Sequence, residues 1–258
     1  MSQELPVDRP WRPDLNWETQ AGHALSALLT GLHNAGGEWL VNVFGSAPLQ
    51  MAYARDFISN DVDTSVVWQK EPEFERVIDE NRLGRDQAEL YIQSCKEAAF
   101  RTSPKWKDRA FRDVRGDITL RFAHPIDLLI GKLNRLEEKD LKAFHLVRSM
   151  TGEPAEETML RELREAPDLF SRAYMAPHAT ASYAQNVARL WSVFYQKDID
   201  VEREIIIPAN EALRRNYDIG GTYKANLRAL SRRDREPEAL PQPKPAPDGQ
   251  SSTPDRTC

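Results

Sequence analysis

The feature that most constrains the fold is the segment from Val41 to Val67, in which secondary structure changes in quick succession. A strand is expected over 39–44, followed by a tight turn at Gly45-Ser46. Pro48 opens a short helix, since proline is tolerated at the first helical position. A second strand begins at Asp61-Val-Asp63. The order strand, turn, helix, strand predicts a compact α/β core around this segment.

The turn and the second strand carry complementary chemistry. A helix that begins at Gly45-Ser46 directs backbone N–H groups and the positive end of its dipole forward, which favours phosphate. Side chains two apart on a strand share a face, so the Cα atoms of Asp61 and Asp63 are expected roughly 6.5 Å apart. Two neighbouring carboxylates repel each other, and Mg²⁺ relieves that repulsion while also binding substrate phosphates. The segment therefore predicts phosphoryl or nucleotidyl transfer.

Composition excludes several other classes of protein. No apolar run approaches the roughly 18 residues of a membrane span, and the polar, acidic start is unlike a signal peptide, so a cytoplasmic protein with no membrane partner is expected. Two cysteines, Cys95 and Cys258, are too few for a disulfide framework or a Cys-based zinc site. A formal net charge of -5 argues against nucleic-acid binding by the surface as a whole.

The chain of 258 residues is predicted to contain four segments. They are an extended lead-in over 1–16, a first domain over 17–150, a helical domain over 151–235 and a proline-rich, disordered tail over 236–258. The expected fold class is α/β in the α+β sense, with a small mixed sheet, flanking helices and a helical C-terminal region.

Periodicity predicts the remaining elements. In the first domain, helices are expected over 17–32, 73–81 and 85–100, and a third strand over 118–122. Cys95 falls on the apolar stripe of the third of these helices, which makes it a core thiol. Beyond Gly152, helices are expected over 156–166, 168–175, 179–196, 201–216 and 223–232, with a kink or an end at Pro208.

A long amphipathic helix is predicted to begin at His124-Pro125 and to extend past Val147. Asp140 falls on its inward, apolar face, and Lys132 lies about 80° away around the helix, so both would border one cavity. An inward carboxylate costs several kcal/mol unless it is paired or solvated. Asp140 is therefore either a buried structural partner or part of a cleft.

A basic loop surrounds a tryptophan at Lys105-Trp106-Lys107 and continues to Arg109, Arg112 and Arg115. Cations hold phosphate and an aromatic ring stacks bases, so this loop could bind an RNA acceptor. The alternative is a solvated loop with the tryptophan anchored in the core. The five histidines show no ligand spacing, which argues against zinc, and His124 is interpreted as a helix-entry residue.

Taken together, these residues resemble the nucleotidyltransferase superfamily, most of all the AbiEii and MenT branch of bacterial toxin enzymes and its uncharacterised relatives. The pattern is a Gly-Ser turn, a Ser-x-Asp-x-Asp strand, and a downstream helix with a lysine and a Lys-Asp pair, over residues 35–150. The matching residues are Gly45, Ser46, Tyr53, Arg55, Ser59, Asp61, Asp63, Lys132, Lys139 and Asp140.

The resemblance implies a nucleotidyltransferase fold and a Mg²⁺-dependent enzyme that moves a nucleoside monophosphate from an NTP to an acceptor hydroxyl. The implied roles are triphosphate binding by Gly45, Ser46, Arg55 and Lys132, Mg²⁺ binding by Asp61 and Asp63, and catalysis by Asp61, Asp63, Lys132 and Asp140. The acceptor would be a tRNA 3′ end, in a toxin neutralised by a separate antitoxin protein. For Arg55, pairing with Asp56 or Asp61 is the alternative.

Two alternatives to this activity remain open. The acceptor could be a protein or a small molecule instead of RNA. Many members of the superfamily also carry a third strand carboxylate, whereas Asp117 precedes the third strand here. Without that acid the chain would be a slow enzyme, or a module that binds nucleotide or a partner protein without catalysis.

Overall fold

The computed structural model describes residues 7, 10–54, 60–166, 169 and 182–217, with side chains up to position 213. The chain divides into two units, residues 1–211 and 212–258. Several sequence predictions lie outside the described residues: Arg55, Ser59, the helices over 168–175 and 223–232, and the tail over 236–258.

Strands and helices alternate in the first part of the chain, the last two strands are consecutive, and every regular element described after them is a helix. The strands are β1 (Trp39–Phe44), β2 (Asp61–Ser65), β3 (Tyr91–Ser94), β4 (Phe111–Arg115) and β5 (Ile118–Phe122). The helices are α1 (Gln20–Ala35), α2 (Ala47–Ala52), α3 (Glu71–Glu80), α4 (Trp106–Arg109), α5 (Pro125–Gly131), α6 (Glu138–Thr151), α7 (Glu156–Arg164), α8 (Tyr183–Tyr195) and α9 (Ile207–Tyr217). Short 3-10 turns occur at Trp68–Lys70 and Glu97–Ala99, and a π-helical turn at Glu202–Ile206. Within the described ranges, no helix has the length and apolarity needed to cross a bilayer.

The strands form one mixed sheet in the order β3-β2-β1-β5-β4. β1 is antiparallel to β2 and parallel to β5, β2 is parallel to β3, and β4 is antiparallel to β5. The expected α+β class with a mixed sheet and flanking helices is confirmed. Because Phe44 pairs with Asp63, the turn at Gly45-Ser46 follows directly after the β1 residue opposite that aspartate.

The two faces of the sheet differ in character. One face presents Val41, Val43, Val62 and Leu120 to helices α1 and α3 in a fully buried cluster. Burial of each such side chain contributes about 1.5–3 kcal/mol. Since side chains alternate along a strand, the other face carries the polar residues, including Asp63 on β2. Helices α1 and α3 thus cover the apolar face, and the acidic side chains of β2 lie on the opposite face.

A second hydrophobic cluster joins the end of β1 to helices α5 to α8. It includes Phe44, Leu129, Phe144, Val187 and Trp191. Residues on both sides of position 150 share this cluster. The cluster fixes the two chain segments that carry Lys132 and Asp140.

The prediction of a helix over 85–100 is wrong. The chain forms turns from Arg85 onward, and β3 follows, with Ile92 paired with Val62 of β2. The spacing of apolar residues suited a helix, but the open edge of β2 offers backbone partners to a short segment with aromatic and β-branched residues. Cys95 consequently follows a strand and lies beside Asp63, not inside a helical core.

The prediction of a single long helix from His124 is also wrong, because the segment forms two helices, α5 and α6. α5 ends at Gly131, and α6 begins at Glu138 after a turn in which Leu136 has a φ of 35°. Glu137 and Asp140 form a capping box in which each side chain accepts a hydrogen bond from the other's backbone N–H. Asp140, which the sequence placed on the inward face of one long helix, thus caps the N-terminus of the second helix.

Pro208 lies in the first turn of α9, directly after the π-helical turn at Glu202–Ile206, so it does not end the helix. Proline cannot donate to the carbonyl four residues earlier, which is that of Glu204. The side chain of Arg164 takes this role, donating from Nε to the Glu204 carbonyl at 2.7 Å. The π-helical turn and this hydrogen bond let the helix continue through the proline.

Candidate functional site

The turn after β1 brings its backbone against an acidic side chain. Gly45 has a φ of 70°, in the left-handed region that favours glycine. A Cβ atom at this position would collide with the carboxylate of Asp63. Glycine is therefore required at position 45 for two reasons. The backbone conformation favours it, and Asp63 occupies the space that a side chain would need. Ser46 follows it and directly precedes α2.

Asp61 and Asp63 lie on the polar face of β2, as the alternation of the strand predicted. The hydroxyl of Tyr91 donates to Asp61 Oδ2 at 3.3 Å, and the thiol of Cys95 donates to Asp63 Oδ1 at 3.6 Å. Burial and then the neighbouring charge of Asp61 raise the pKa of Asp63, against the opposing charge of Lys132. The pair therefore has the mutual repulsion that a bound cation would relieve.

Lys132 and Asp140 form a buried ion pair at the junction of α5 and α6. Lys132 Nζ lies 2.6 Å from Asp140 Oδ1 and 3.3 Å from Ser46 Oγ. The side chain of Asp140 is 0% exposed, and its second oxygen accepts from the backbone N–H of Glu137 at 2.9 Å. Burial by itself would raise the pKa of Asp140, but the charge and hydrogen bond of Lys132 lower it below its ordinary value.

The expected proximity of Lys132 and Asp140 is confirmed, although for a different reason. The sequence placed both on one continuous helix, whereas the break after Gly131 folds them together. Lys132 thereby links the turn after β1 to α6. Asp140 contacts the lysine and the cap of its own helix, so it acts by holding Lys132 in place.

Three residues that the sequence did not single out for this site also belong to it. Arg135 lies 3.7 Å from Asp140, and its charge lowers the pKa of Asp63. Tyr91 and Cys95 reach the carboxylates because β3 pairs with β2. The alternating sequence Tyr91-Ile-Gln-Ser94 was the signal that could have revealed them, had it been interpreted as a strand.

The donor set at the two aspartates suits a hard cation. Within the described ranges, no three His, Cys, Asp or Glu side chains are arranged to hold a metal ion. Burial, followed by the charge of Asp63, raises the pKa of Cys95 to about 12, which keeps this neighbour a protonated thiol. Two carboxylates without a thiolate fit Mg²⁺, which takes one or two protein oxygens and completes its shell with water and phosphate.

Asp117 is not the third carboxylate of this site. It lies in the turn between β4 and β5, and its carbonyl accepts from the backbone N–H of Trp39 at 2.9 Å. Trp39 is the first residue of β1, whereas the turn Gly45-Ser46 follows the last residue of β1. Asp117 is therefore at the end of the sheet opposite to the turn. β5 runs parallel to β1, so its first residues cannot reach the carboxylate pair.

The segment predicted as a basic loop around Trp106 is the short helix α4 followed by the strand β4, which carries Arg112 and Arg115, and it is anchored in the protein. Trp106 is buried, and Lys105 pairs with Glu165 at 2.8 Å. Lys107 pairs with Glu97, and Arg109 is buried in an ion-pair cluster of its own. These contacts match the alternative of a tryptophan-anchored loop, while RNA binding by the loop stays a prediction.

His124 has the structural role expected of it. It precedes α5, and its Nδ1 accepts from the backbone N–H of Ile126 at 3.2 Å. The side chain is fully buried next to Trp11. His124 thus caps the helix that carries Lys132.

No family model, curated protein or solved structure matches this chain.

Proposed function

We propose that this protein is a Mg²⁺-dependent nucleotidyltransferase of the nucleotidyltransferase fold, which transfers a nucleoside monophosphate from an NTP to an acceptor hydroxyl. The observation that carries the proposal is the convergence at one end of the sheet of a Gly-Ser turn, two carboxylates and a lysine. Lys132 Nζ lies 3.3 Å from Ser46 Oγ, and Asp63 packs against Gly45. The same end therefore offers oxygen ligands for a cation and donors for phosphate.

Each residue has a separate task in this proposal. Asp61 and Asp63 would hold Mg²⁺, which supplies charge neutralisation and orientation at the phosphates. The Ser46 hydroxyl donates to a phosphate oxygen. Lys132 stabilises the negative charge that develops on the departing pyrophosphate.

Asp140 is a positioning residue in this scheme. An ammonium group has three N–H donors, and Asp140 and Ser46 account for two of those of Lys132, which leaves one for a phosphate oxygen. Because Asp140 is buried and bound to the N-terminus of α6, it fixes the ammonium in one place. A fixed charge loses less free energy to reorganisation when the transition state forms.

The acceptor of the transfer must supply a hydroxyl group that loses its proton as it attacks. A Mg²⁺ ion held by Asp61 and Asp63 would lower the pKa of an acceptor hydroxyl beside it, and the proton would pass to solvent. A tRNA 3′ end, in a toxin with an antitoxin partner, is the acceptor that the resemblance implies. A protein or small-molecule hydroxyl is compatible with the same machinery.

A second candidate function is nucleotide binding without catalysis. It is favoured by the position of Asp117 at the far end of the sheet and by the lack, among described residues, of a third side chain at the metal pair. The two candidates share the phosphate and cation sites and differ only in turnover.

The test incubates the protein with Mg²⁺, each of the four α-labelled NTPs, total RNA and cell lysate. The matched variants are Asp61→Ala/Asp63→Ala, which removes the pair, and Asp117→Ala, which removes an acid from the other end of the sheet. We expect label on RNA or protein with the wild type and Asp117→Ala only. Binding of NTP without any transfer would favour the second candidate, and failure to bind NTP would overturn both.

A further inference from the structure

The polar face of the sheet also carries a cleft at the end away from Gly45-Ser46. Its volume is about 480 Å³, which is within the range of pockets for small ligands. The lining residues include Leu40, Val67, Arg112, Thr119 and Arg121. These come from β1, β4, β5 and the segment after β2, so the floor of the cleft is the sheet itself.

Two arginines lie side by side in this cleft. Arg112 of β4 pairs in register with Arg121 of β5, and like charges directly opposite each other destabilise an antiparallel pair. Arg121 donates to Asn42 Oδ1 at 3.2 Å, but its Nε atom is buried without a hydrogen-bond partner in the described part of the chain. Burial and the charge of Arg112 lower the pKa of Arg121. An anion bound between the two guanidinium groups would offset their mutual repulsion.

Apolar side chains adjoin the arginines. Leu40 is 36% exposed and Val67 is 50% exposed, so both offer apolar surface to a ligand. The lining also includes two acids, Glu38 and Asp117, and a third cation, Lys70. Three cations against two acids leave a small positive balance, so the cleft suits one phosphate attached to a flat, largely apolar group.

We propose that this cleft is a second site, which binds a nucleotide unit with its phosphate at Arg112 and Arg121 and its base over Leu40 and Val67. Guanidinium groups hold phosphate through paired hydrogen bonds, and aliphatic side chains pack against a base. The unit is either a free nucleoside monophosphate or one residue of a single-stranded RNA.

The cleft is distinct from the site at Asp61 and Asp63. Asp63 lies opposite Phe44, whereas Arg121 lies opposite Asn42 and two strands away from β2. Strand geometry gives a separation of roughly 12 Å. The ring of Phe100 stacks on Phe44 with 4.7 Å between centroids, on the residue beside Asp63. The second site consequently does not rest on the proposed catalysis.

The test measures binding with the catalytic pair removed. AMP and inorganic phosphate are titrated by calorimetry, and a fluorescein-labelled hexauridylate by anisotropy, into the Asp61→Ala/Asp63→Ala protein in EDTA. Arg112→Gln/Arg121→Gln in that background is expected to weaken binding of AMP or hexauridylate at least about tenfold. Since this change relieves repulsion, the variant should fold, which circular dichroism and the thermal midpoint verify.

Two further variants keep the result interpretable. Arg115→Gln removes the same charge from β4 but on the other face, where Arg115 lies over the ring of Trp17 at 3.9 Å, and it should bind as the parent does. Val67→Glu adds a negative charge at an exposed position beside the arginines and should also weaken binding. Equal affinity in all these variants, or no binding of AMP or hexauridylate at millimolar concentration, would overturn the proposal.

The probes also distinguish the two sources of the nucleotide unit. Tight binding of AMP with weaker binding of hexauridylate indicates a free nucleotide. Tighter binding of hexauridylate, with an affinity that falls as salt rises, indicates a strand. Binding of inorganic phosphate alone, without a gain from the nucleoside, would overturn the assigned role of Leu40 and Val67. Because the metal pair is absent throughout, failure here leaves the proposed transferase activity unaffected.

Discussion

Two clusters of charged side chains, one around Arg109 and one around Asp63, show how differently the same protein treats buried charge. Arg109 donates from Nε to Asp127 Oδ2 at 2.6 Å and from Nη2 to Oδ1 at 2.7 Å. Its Nη1 lies 2.7 Å from Glu162, and Thr102 donates to Asp127 at 3.0 Å. This cluster joins α4, α5 and α7, and with Arg161, whose Nη2 lies 3.3 Å from Glu162, it pairs two cations with two buried carboxylates.

The cluster at Asp63 is matched less completely. Burial raises the pKa of Asp63 and of Asp127 alike. At Asp63 the charge of Asp61 adds to the rise, whereas Arg109 opposes the rise at Asp127 and holds the pKa of Glu162 below its ordinary value. Lys132, whose charge opposes the rise at Asp63, is itself bound to Asp140. Buried charge therefore stabilises the fold where its partners are complete, and marks a candidate ligand site where they are not.

The largest expected effect is on the matched cluster. Arg109→Met leaves Asp127 and Glu162 buried without their common cation, so the free energy of unfolding should fall by about 3–5 kcal/mol. Urea denaturation measures this loss. Arg203→Met, at a position where the side chain is 80% exposed, should change stability by less than about 0.5 kcal/mol. Equal effects of the two substitutions would mean that the Arg109 cluster contributes little to the fold.

The next effect concerns activity at the other cluster. Lys132→Met should reduce nucleotidyl transfer by about 10²–10³-fold, because the charge on the departing pyrophosphate loses its partner. The control is Lys139→Met, in the Lys-Asp pair of the motif, since the Lys139 side chain is 57% exposed. Rates of label transfer at saturating NTP separate the two. A similar loss in both variants would remove Lys132 from the proposed mechanism.

Asp63→Asn tests whether the charge of Asp63 destabilises the fold, in contrast to the charges of the Arg109 cluster. A raised carboxylate pKa means that the folded state binds the proton more tightly, so stability falls as pH rises through that pKa and remains lower above it. Replacing the charge by an amide should therefore raise the free energy of unfolding near neutral pH, by about 0.5–2 kcal/mol, while abolishing transfer. Asp86→Asn, at an exposed turn, should leave both unchanged. A lower thermal midpoint for Asp63→Asn would contradict the expectation.

The smallest effect is a change in acid sensitivity. The lowered pKa of Asp140 means that its stabilisation is present above the unfolded pKa of about 4 and is lost as pH falls through the folded value. Denaturation curves from about pH 7 down to about pH 3 should show less acid destabilisation in Asp140→Asn than in the wild type. Identical slopes for both proteins would exclude Asp140 as a source of the acid sensitivity.

Local rules predicted the residues around Gly45 well. The strand over 39–44, the turn and the shared face of Asp61 and Asp63 all follow from neighbours in sequence, and the structure agrees. The segment over 85–100 was mispredicted because its apolar spacing permits two periods. The vacant edge of β2 decided between them, and with it the contact of Tyr91 with Asp61.

Local patterns were enough to predict the candidate residues of the site and the mixed α+β class, because a strand's alternation and a glycine's backbone freedom are local properties. Long-range packing sets the break of the helix after Gly131, the contacts of Lys132 with Ser46 and Asp140, and the position of Asp117 at the wrong end of the sheet. Ion pairs and strand order join residues far apart in the chain, and their free energy depends on burial that no local pattern specifies.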